Sequence, residues 1–380
     1  MARNQPGFPS SFYLSLLTTL LLFFGMQALM PTLPLYVLYL GGTPADNGLV
    51  MWVFALASLL VRPLSGVLAD RWGDRPALVV GALLFGGAPL LYAVCLNLPA
   101  LLAVRAVHGA GMALYTTAYR ALATELSPPA RRGEGLGLIG TASSVTMAVA
   151  PLVGEALVES SGFALLFTLL GGLGLVAFGV ALALPASRRQ GVGKTYASVQ
   201  RALRERGVRE GVAAMALLGV PYGALIGFLP LLAQARALGP TGWAYAVYAA
   251  AVVGGGPLAG RLSDRRGRRR VVLPAAVLVA LAAGGLALVS SRWGMIGLVA
   301  LYGLGWGGLR TGLDALVQDS VRAALRASAT AAQYTAFDLG IGLGSWGLGA
   351  LAGSMGYGPM FGLGAVAAIV AALVVRFSGR

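Results

Sequence analysis

The sequence predicts an all-α membrane protein of twelve transmembrane helices in two pseudo-symmetric six-helix bundles. Three observations predict it: an apolar, charge-poor composition, long apolar segments separated by short basic turns, and an internal repeat. Hydrophobic residues make up 57% of the 380 and charged residues only 11%, with a mean hydropathy of +0.79. Soluble domains carry about 25% charged residues, and a soluble chain this apolar could not cover its surface. Each crossing of a bilayer takes roughly 20 apolar residues, so twelve take about 240. The remainder suffices for short connections. The 56 glycines sit inside apolar runs, as in Gly303-Leu304-Gly305-Trp306-Gly307-Gly308. Small residues let membrane helices approach closely.

Taken in order, the expected spans begin at 12–38. The polar start Met1–Ser11 leads straight into a segment longer than a signal-peptide core, so it is expected to stay as an anchor. It carries Gln27. Spans 46–68, with Arg62, and 76–97 follow. Span 99–122 carries Arg105, His108, Tyr115 and Tyr119. Spans 135–158, with Glu155, and 161–184 complete the first set. The polar stretch Ser187–Glu210 holds seven basic residues and reads as a linker with a surface helix on an anionic leaflet. Spans 211–235, with Tyr222 and Phe228, 242–262 and 271–290 open the second set. Span 293–317 carries Trp306, Arg310 and Asp314, and 328–353 carries Asp338. The last span is 356–376. The expected domains are an N-terminal bundle at 1–185, a cytoplasmic linker at 186–210 and a C-terminal bundle at 211–380.

The net charge is +15. Its basic residues lie in short turns rather than on one soluble face, so no nucleic acid is expected as partner. With an internal N-terminus, all but five of the 28 Lys and Arg fall on one side. The exceptions are Arg62, Arg105 and Arg310, inside spans, and Arg236 and Arg292, on the other side. By the positive-inside rule both termini are cytoplasmic in an inner (plasma) membrane. The single Cys95 excludes an intramolecular disulfide. One histidine and one cysteine imply no metal site, and no cofactor is expected. No P-loop is present, so this chain carries no such ATP drive.

The repeat appears at a shift of 194 residues. Pro63, Leu64, Gly66, Leu68, Asp70, Arg71, Gly73 and Arg75 fall on Pro257, Leu258, Gly260, Leu262, Asp264, Arg265, Gly267 and Arg269. The same shift carries Gly109 and Gly111 to Gly303 and Gly305, and Glu125 to Asp319. Two bundles of like orientation follow, with a site expected between them.

The segment from Gly66 to Arg75 resembles motif A, G-x-L-x-D-R-x-G-R-[KR], of the major facilitator superfamily, and Gly260 to Arg269 echoes it. Asp74 stands where that family usually has Arg. The resemblance implies a conformational latch: Asp70 faces the N-terminus of helix 11, a positive dipole end, and Glu125 joins Arg71 or Arg75. Arg105-Ala106-Val107-His108-Gly109 looks like motif B of proton-coupled members. Ala150-Pro151-Leu152-Val153-Gly154-Glu155 is a partial likeness to the antiporters' motif C. Gln333 to Gly344, with Pro31 to Tyr36, looks like a bacterial drug and metabolite efflux branch. The resemblance also implies a cavity lined by helices 1, 4, 7 and 10, for which Gln27, Tyr115, Tyr119, Tyr222, Phe228 and Trp306 are candidates.

A charge at bilayer depth costs about 2.5–3.5 kcal/mol on insertion scales and so should meet a partner or a cavity. Arg62 and Asp338 are expected to interact in one conformational state, and Arg105 with Glu155. Asp338 or Glu155 is then the candidate protonation site. Arg310 and Asp314, four apart on one helix face, are either a self-neutralised pair or an anchor for an anionic substrate. His108 reads as a packed, hydrogen-bonded histidine. The expected activity is rocker-switch, proton-driven export of a small organic compound such as a drug, sugar-like metabolite or metallophore, by a monomer in the lipid bilayer. Uptake by symport or facilitated diffusion is the alternative, and a non-transporting receptor or scaffold a third. No catalytic constellation of an intramembrane enzyme is present.

Overall fold

The computed structural model describes residues 7–128, 131–186 and 196–377, apart from the side chains at 66–72, 132, 136, 196 and 197. The described residues form helices α1 (Ser10–Tyr39), α2 (Pro44–Trp72), α3 (Asp74–Ala93), α4 (Leu98–Leu126), α5 (Arg132–Leu182), α6 (Tyr196–Arg204) and α7 (Arg206–Ala235). They continue with α8 (Gly242–Arg266), α9 (Arg268–Leu288), α10 (Arg292–Asp319), a 3₁₀ turn at Ala323–Leu325, α11 (Arg326–Met355) and α12 (Tyr357–Phe377). Among the described residues there is no strand. Eight helices are long and apolar enough to cross a membrane: α1 to α5, α7, α9 and α12. Helices α8, α10 and α11 are of comparable length, 25, 28 and 30 residues.

The spans read as 135–158 and 161–184 are joined in one helix, broken only at Gly162 (φ 79°, ψ 176°). A straight helix of that length would run about 75 Å at 1.5 Å per residue, far beyond the roughly 30 Å hydrocarbon core. Packing shows that α5 reverses. Its first arm runs with α1, since Gly135 meets Phe8 and Gly154 meets Ala28. Its second arm runs against α3, since Gly171 meets Leu90 and Gly174 meets Gly86. Helices α1 and α3 are themselves parallel: Leu22 lies at Gly86, and Thr19 binds Tyr115, the neighbour of Gly81. Glycine alone tolerates that φ cheaply, so a single residue replaces a loop.

The 194-residue repeat is also a repeat of structure. Asn97 and Ser291 each cap a helix, accepting from Ala100 N–H (2.9 Å) and Gly294 N–H (3.1 Å). Gly73 (φ 79°) and Gly267 (φ 91°) precede α3 and α9. Gly162 corresponds to Gly356 (φ 86°, ψ 177°), which divides α11 from α12.

Two compact units form. The first contains residues 1–29 and 56–193, the second 30–55 and 194–380. Helices α1 and α2 therefore contribute to both. In the first unit α3 and α4 cross at Gly81 and Gly111, each flush against the other helix's backbone. In the second, α7 and α11 cross at Gly219 and Gly340. The α1–α2 hairpin tip packs there too. Asn47 Nδ2 donates to the Gly227 carbonyl (2.8 Å), and Gly48 lies on the Ser345 backbone.

Of the stretch Ser187–Glu210, residues 187–195 lie outside the description. The rest begins with α6, whose Ala202 is buried with Val317 and Ala329. Ser198 Oγ and Ser328 Oγ, 2.9 Å apart, tie α6 to α11. Arg201 and Arg204 are exposed.

Candidate functional site

The second unit holds the most polar cluster in its interior helices. On α10, Trp306, Arg310 and Asp314 recur every four residues and share a face. On α11, Tyr334 and Phe337, three apart, also share a face. These stripes meet in layers, and α7 supplies Tyr222. In the first layer the rings of Tyr222, Trp306 and Phe337 touch pairwise, with centroids 4.9, 5.1 and 5.0 Å apart. Trp306 is buried, and Tyr222 and Phe337 are half-buried. One turn along α10, Arg310 Nε donates to Tyr334 Oη (3.3 Å), and its Cζ lies 5.7 Å over the Tyr334 ring. One turn further, Asp314 accepts from Tyr334 Oη (3.0 Å) and Gln333 Nε2 (3.1 Å). Arg310 and Asp314 are thus linked through a phenol rather than in direct contact. Asp338 follows Phe337 and is half-buried.

The first unit holds a second centre, which is sealed. Arg105 is 6% exposed, His108 1% and Tyr92 not at all. Tyr92 Oη lies 2.8 Å from His108 Nδ1, and Arg105 Nη1 lies 3.4 Å from both. A guanidinium can only donate. The neutral Nε2–H tautomer of His108 satisfies all three contacts, because its Nδ1 can accept from both neighbours. Tyr92 Oη donates to it and accepts from Arg105. Phe85 packs against the imidazole at 5.1 Å and Phe167 against Tyr92 at 5.7 Å. Glu155 is buried in the same unit on the first arm of α5.

The other predicted residues scatter. Tyr115 is fully buried, its hydroxyl 2.8 Å from Thr19 Oγ1, and stacks on Tyr119 at 5.5 Å. Phe228 is buried in the second unit. Gln27 Oε1 is buried and has no hydrogen-bond partner among the described residues. Arg62 is half-buried on α2 in the first unit.

In the first motif copy, the surroundings of Gly66 and the side chains of Asp70 and Arg71 lie outside the description. Arg75 donates to the Leu182 carbonyl (2.8 Å) rather than to Glu125, because the first turn of α3 meets the end of α5. The second copy is fully visible. Arg268, at the position of Asp74, bonds Asp264 and, at 2.9 Å, Asp319. Asp319 is the repeat partner of Glu125. Arg269 and Arg206 bracket the buried Glu210 at 2.6 and 3.2 Å. Gly260 and Arg265 take no part in these ion pairs. Near the α4–α5 turn the Glu134 carboxylate beside Arg131 raises the guanidinium above its usual value.

The Major Facilitator Superfamily profile matches residues 15–345, with a second match at 212–379. The chain belongs to the major facilitator superfamily. Among curated superfamily members it is 28% identical over 164 residues to the quinolone resistance protein NorA of Staphylococcus aureus, covering 43% of this chain and 42% of NorA. It is also 28% identical over 161 residues, 42% of each chain, to the uncharacterized MFS-type transporter MJ1560 of Methanocaldococcus jannaschii. The matched stretch thus spans about two-fifths of the curated relatives' length. Solved superfamily structures share the fold. The nucleoside transporter NupG (D323A mutant) superposes with a TM-score of 0.82 at 15% identity, over 97% of this chain and all of that one. A POT family transporter gives 0.81 at 14% identity, over 98% and 96%. This superfamily member is therefore a multi-pass, all-α membrane protein.

Sequence reasoning missed Tyr334, Gln333, Phe337, Tyr92 and Glu210 as working parts. Tyr334 had a signal, standing four residues before Asp338 on one helical face. Glu210 stood among arginines at a helix start. Tyr92 had none, being one tyrosine in an apolar run.

Proposed function

We propose that this transporter exports a small organic compound by proton antiport with alternating access. The layered cluster of Tyr222, Trp306, Phe337, Arg310, Tyr334 and Asp314 carries the reading. Charges at this depth are costly unless they serve a pathway, and here one stands beside an aromatic face, the usual make-up of a small-molecule site. The similarity to NorA favours efflux. Within the first unit, Gln27, Tyr115 and Tyr119 remain the candidates for substrate contact.

Coupling belongs to Asp338 and Glu155. Each pairs with an arginine, Arg62 and Arg105 respectively, when ionised, and protonation releases that arginine and shifts the balance of states. The motif A copies act as latches. Residues 1–185 and 211–380 are the moving bundles, 186–210 links them, both termini are cytoplasmic, and the monomer is the working unit.

Everted vesicles test this. An interior-acid gradient should drive uphill accumulation of an exported compound, and Asp338→Asn should abolish it with the protein still in the membrane. Accumulation driven only in right-side-out vesicles would establish uptake instead.

A further inference from the structure

Resting on that reading of the cluster as the substrate site, we propose that its substrates are planar aromatic anions, bound by Arg310 through a carboxylate and by Tyr222 and Phe337 through the ring. Arg310 is exposed. Its Nε is held by Tyr334, and the Tyr334 ring lies under its Cζ. That leaves the two terminal nitrogens without a hydrogen bond or ion pair among the described residues. A guanidinium fixed at one edge with its outer fork open is preorganised for a carboxylate, which it takes with two parallel bonds.

The neighbouring acid does not fill this role. Asp314 has both oxygens occupied, by Tyr334 and Gln333, so its charge is spread onto neutral donors and Arg310 keeps its own. The same occupation leaves Asp314 a poor seat for a ligand cation, which Arg310 would also repel. Asp338, the carboxylate on α11, serves proton coupling in the proposed cycle.

The ring requirement comes from the adjacent layer. Trp306 lies one turn, about 6 Å, from Arg310 along α10. It packs against the rings of the half-buried Tyr222 and Phe337. A rigid ligand with its carboxylate on an aromatic ring spans the step from fork to face. An aliphatic acid satisfies only the first, a neutral arene only the second.

Binding to purified protein in nanodiscs near neutral pH, read by tryptophan fluorescence and calorimetry, tests this with four probes. They are 2-naphthoate, 2-naphthamide, cyclohexanecarboxylate and the cation of 2-naphthylmethylamine. Naphthoate should bind at least about tenfold more tightly than each of the others, the margin of a charge-assisted fork over a neutral contact. Arg310→Gln should reduce the naphthoate-to-naphthamide ratio to about unity while naphthamide binding persists, which reports a folded site. Phe337→Leu should weaken 2-naphthoate and 2-naphthamide alike.

Equal binding of naphthamide or of the cation, absence of naphthoate binding, or survival of the ratio in Arg310→Gln would each overturn the proposal. Proton coupling is read separately. Loss of gradient-driven transport with anion selectivity intact would sink the efflux reading and not this one, whereas proton-driven export of neutral or cationic compounds alone would sink this one and not the other.

Discussion

Arg105 and Arg310 are both arginines in central helices, yet their settings are opposite. Arg105 is buried, held by the neutral acceptors Tyr92 and His108 and walled by aromatic rings. Arg310 is exposed, tethered at one edge with its fork open. The repeat sharpens the contrast. A shift of 194 carries Arg105 to Val299 and Arg310 back to Thr116, so neither charge has a counterpart. What the two halves share is scaffold: the caps at Asn97 and Ser291, and the glycine turns at 73 and 267 and at 162 and 356. Duplication preserved the frame, and the working charges belong to one half each. A closed arginine suits coupling, and an open one suits binding.

The largest effect should come from Arg105→Met. Proton-driven transport should fall to background at normal membrane content, and Arg105→Lys should recover little, since a compact, strongly hydrated ammonium does not replace a planar guanidinium whose Nη1 reaches both Tyr92 and His108. Transport assays in vesicles with matched expression decide this. Next is His108→Phe, which leaves the buried Tyr92 hydroxyl without its acceptor and should cost about 1–3 kcal/mol of stability. His108→Gln, which can still accept, should cost less. Thermal unfolding in detergent compares them, and equal losses would mean that the hydrogen bond is not what His108 supplies.

Gly162→Ala and Gly356→Ala should each cost about 1–3 kcal/mol, because positive φ with ψ near 180° is a backbone region essentially restricted to glycine. A cost at one position only would break the equivalence of the two turns. Tyr334→Phe removes the phenol between Arg310 and Asp314 and should weaken 2-naphthoate by about three- to tenfold, one hydrogen bond's worth. The smallest effect is Glu134→Gln. The Arg131–Glu134 pair is solvent-exposed, and such pairs contribute about 0–1 kcal/mol.

The frame was legible because its signals are local and repeated. Apolar runs mark helices, glycines mark turns, and a 194-residue self-match marks two halves. Gly162 shows the limit. The polar Glu159-Ser160-Ser161 before it separates the expected spans 135–158 and 161–184, but that the turn takes one residue rather than a loop shows only in the backbone. The charges at Arg105, Arg310 and Asp314 were legible too, because charge at bilayer depth stands out in any apolar run. Their partners were not. Tyr334 and Tyr92 lie on other helices and become partners only through register, which glycine crossings such as Gly81 on Tyr115 and Gly340 on Ala216 set. Helix spacing gave Arg310 and Asp314 a common face, and only the packing of α11 shows a phenol between them.

Counterflow exchange tests the division of labour most directly. Vesicles loaded with unlabelled substrate and diluted into labelled substrate, with no proton gradient, report binding and alternating access without coupling. Arg105→Met should keep counterflow while losing proton-driven transport, and Arg310→Gln should lose both. Loss of counterflow in Arg105→Met, or its survival in Arg310→Gln, would contradict the assignment of coupling to the closed arginine and binding to the open one.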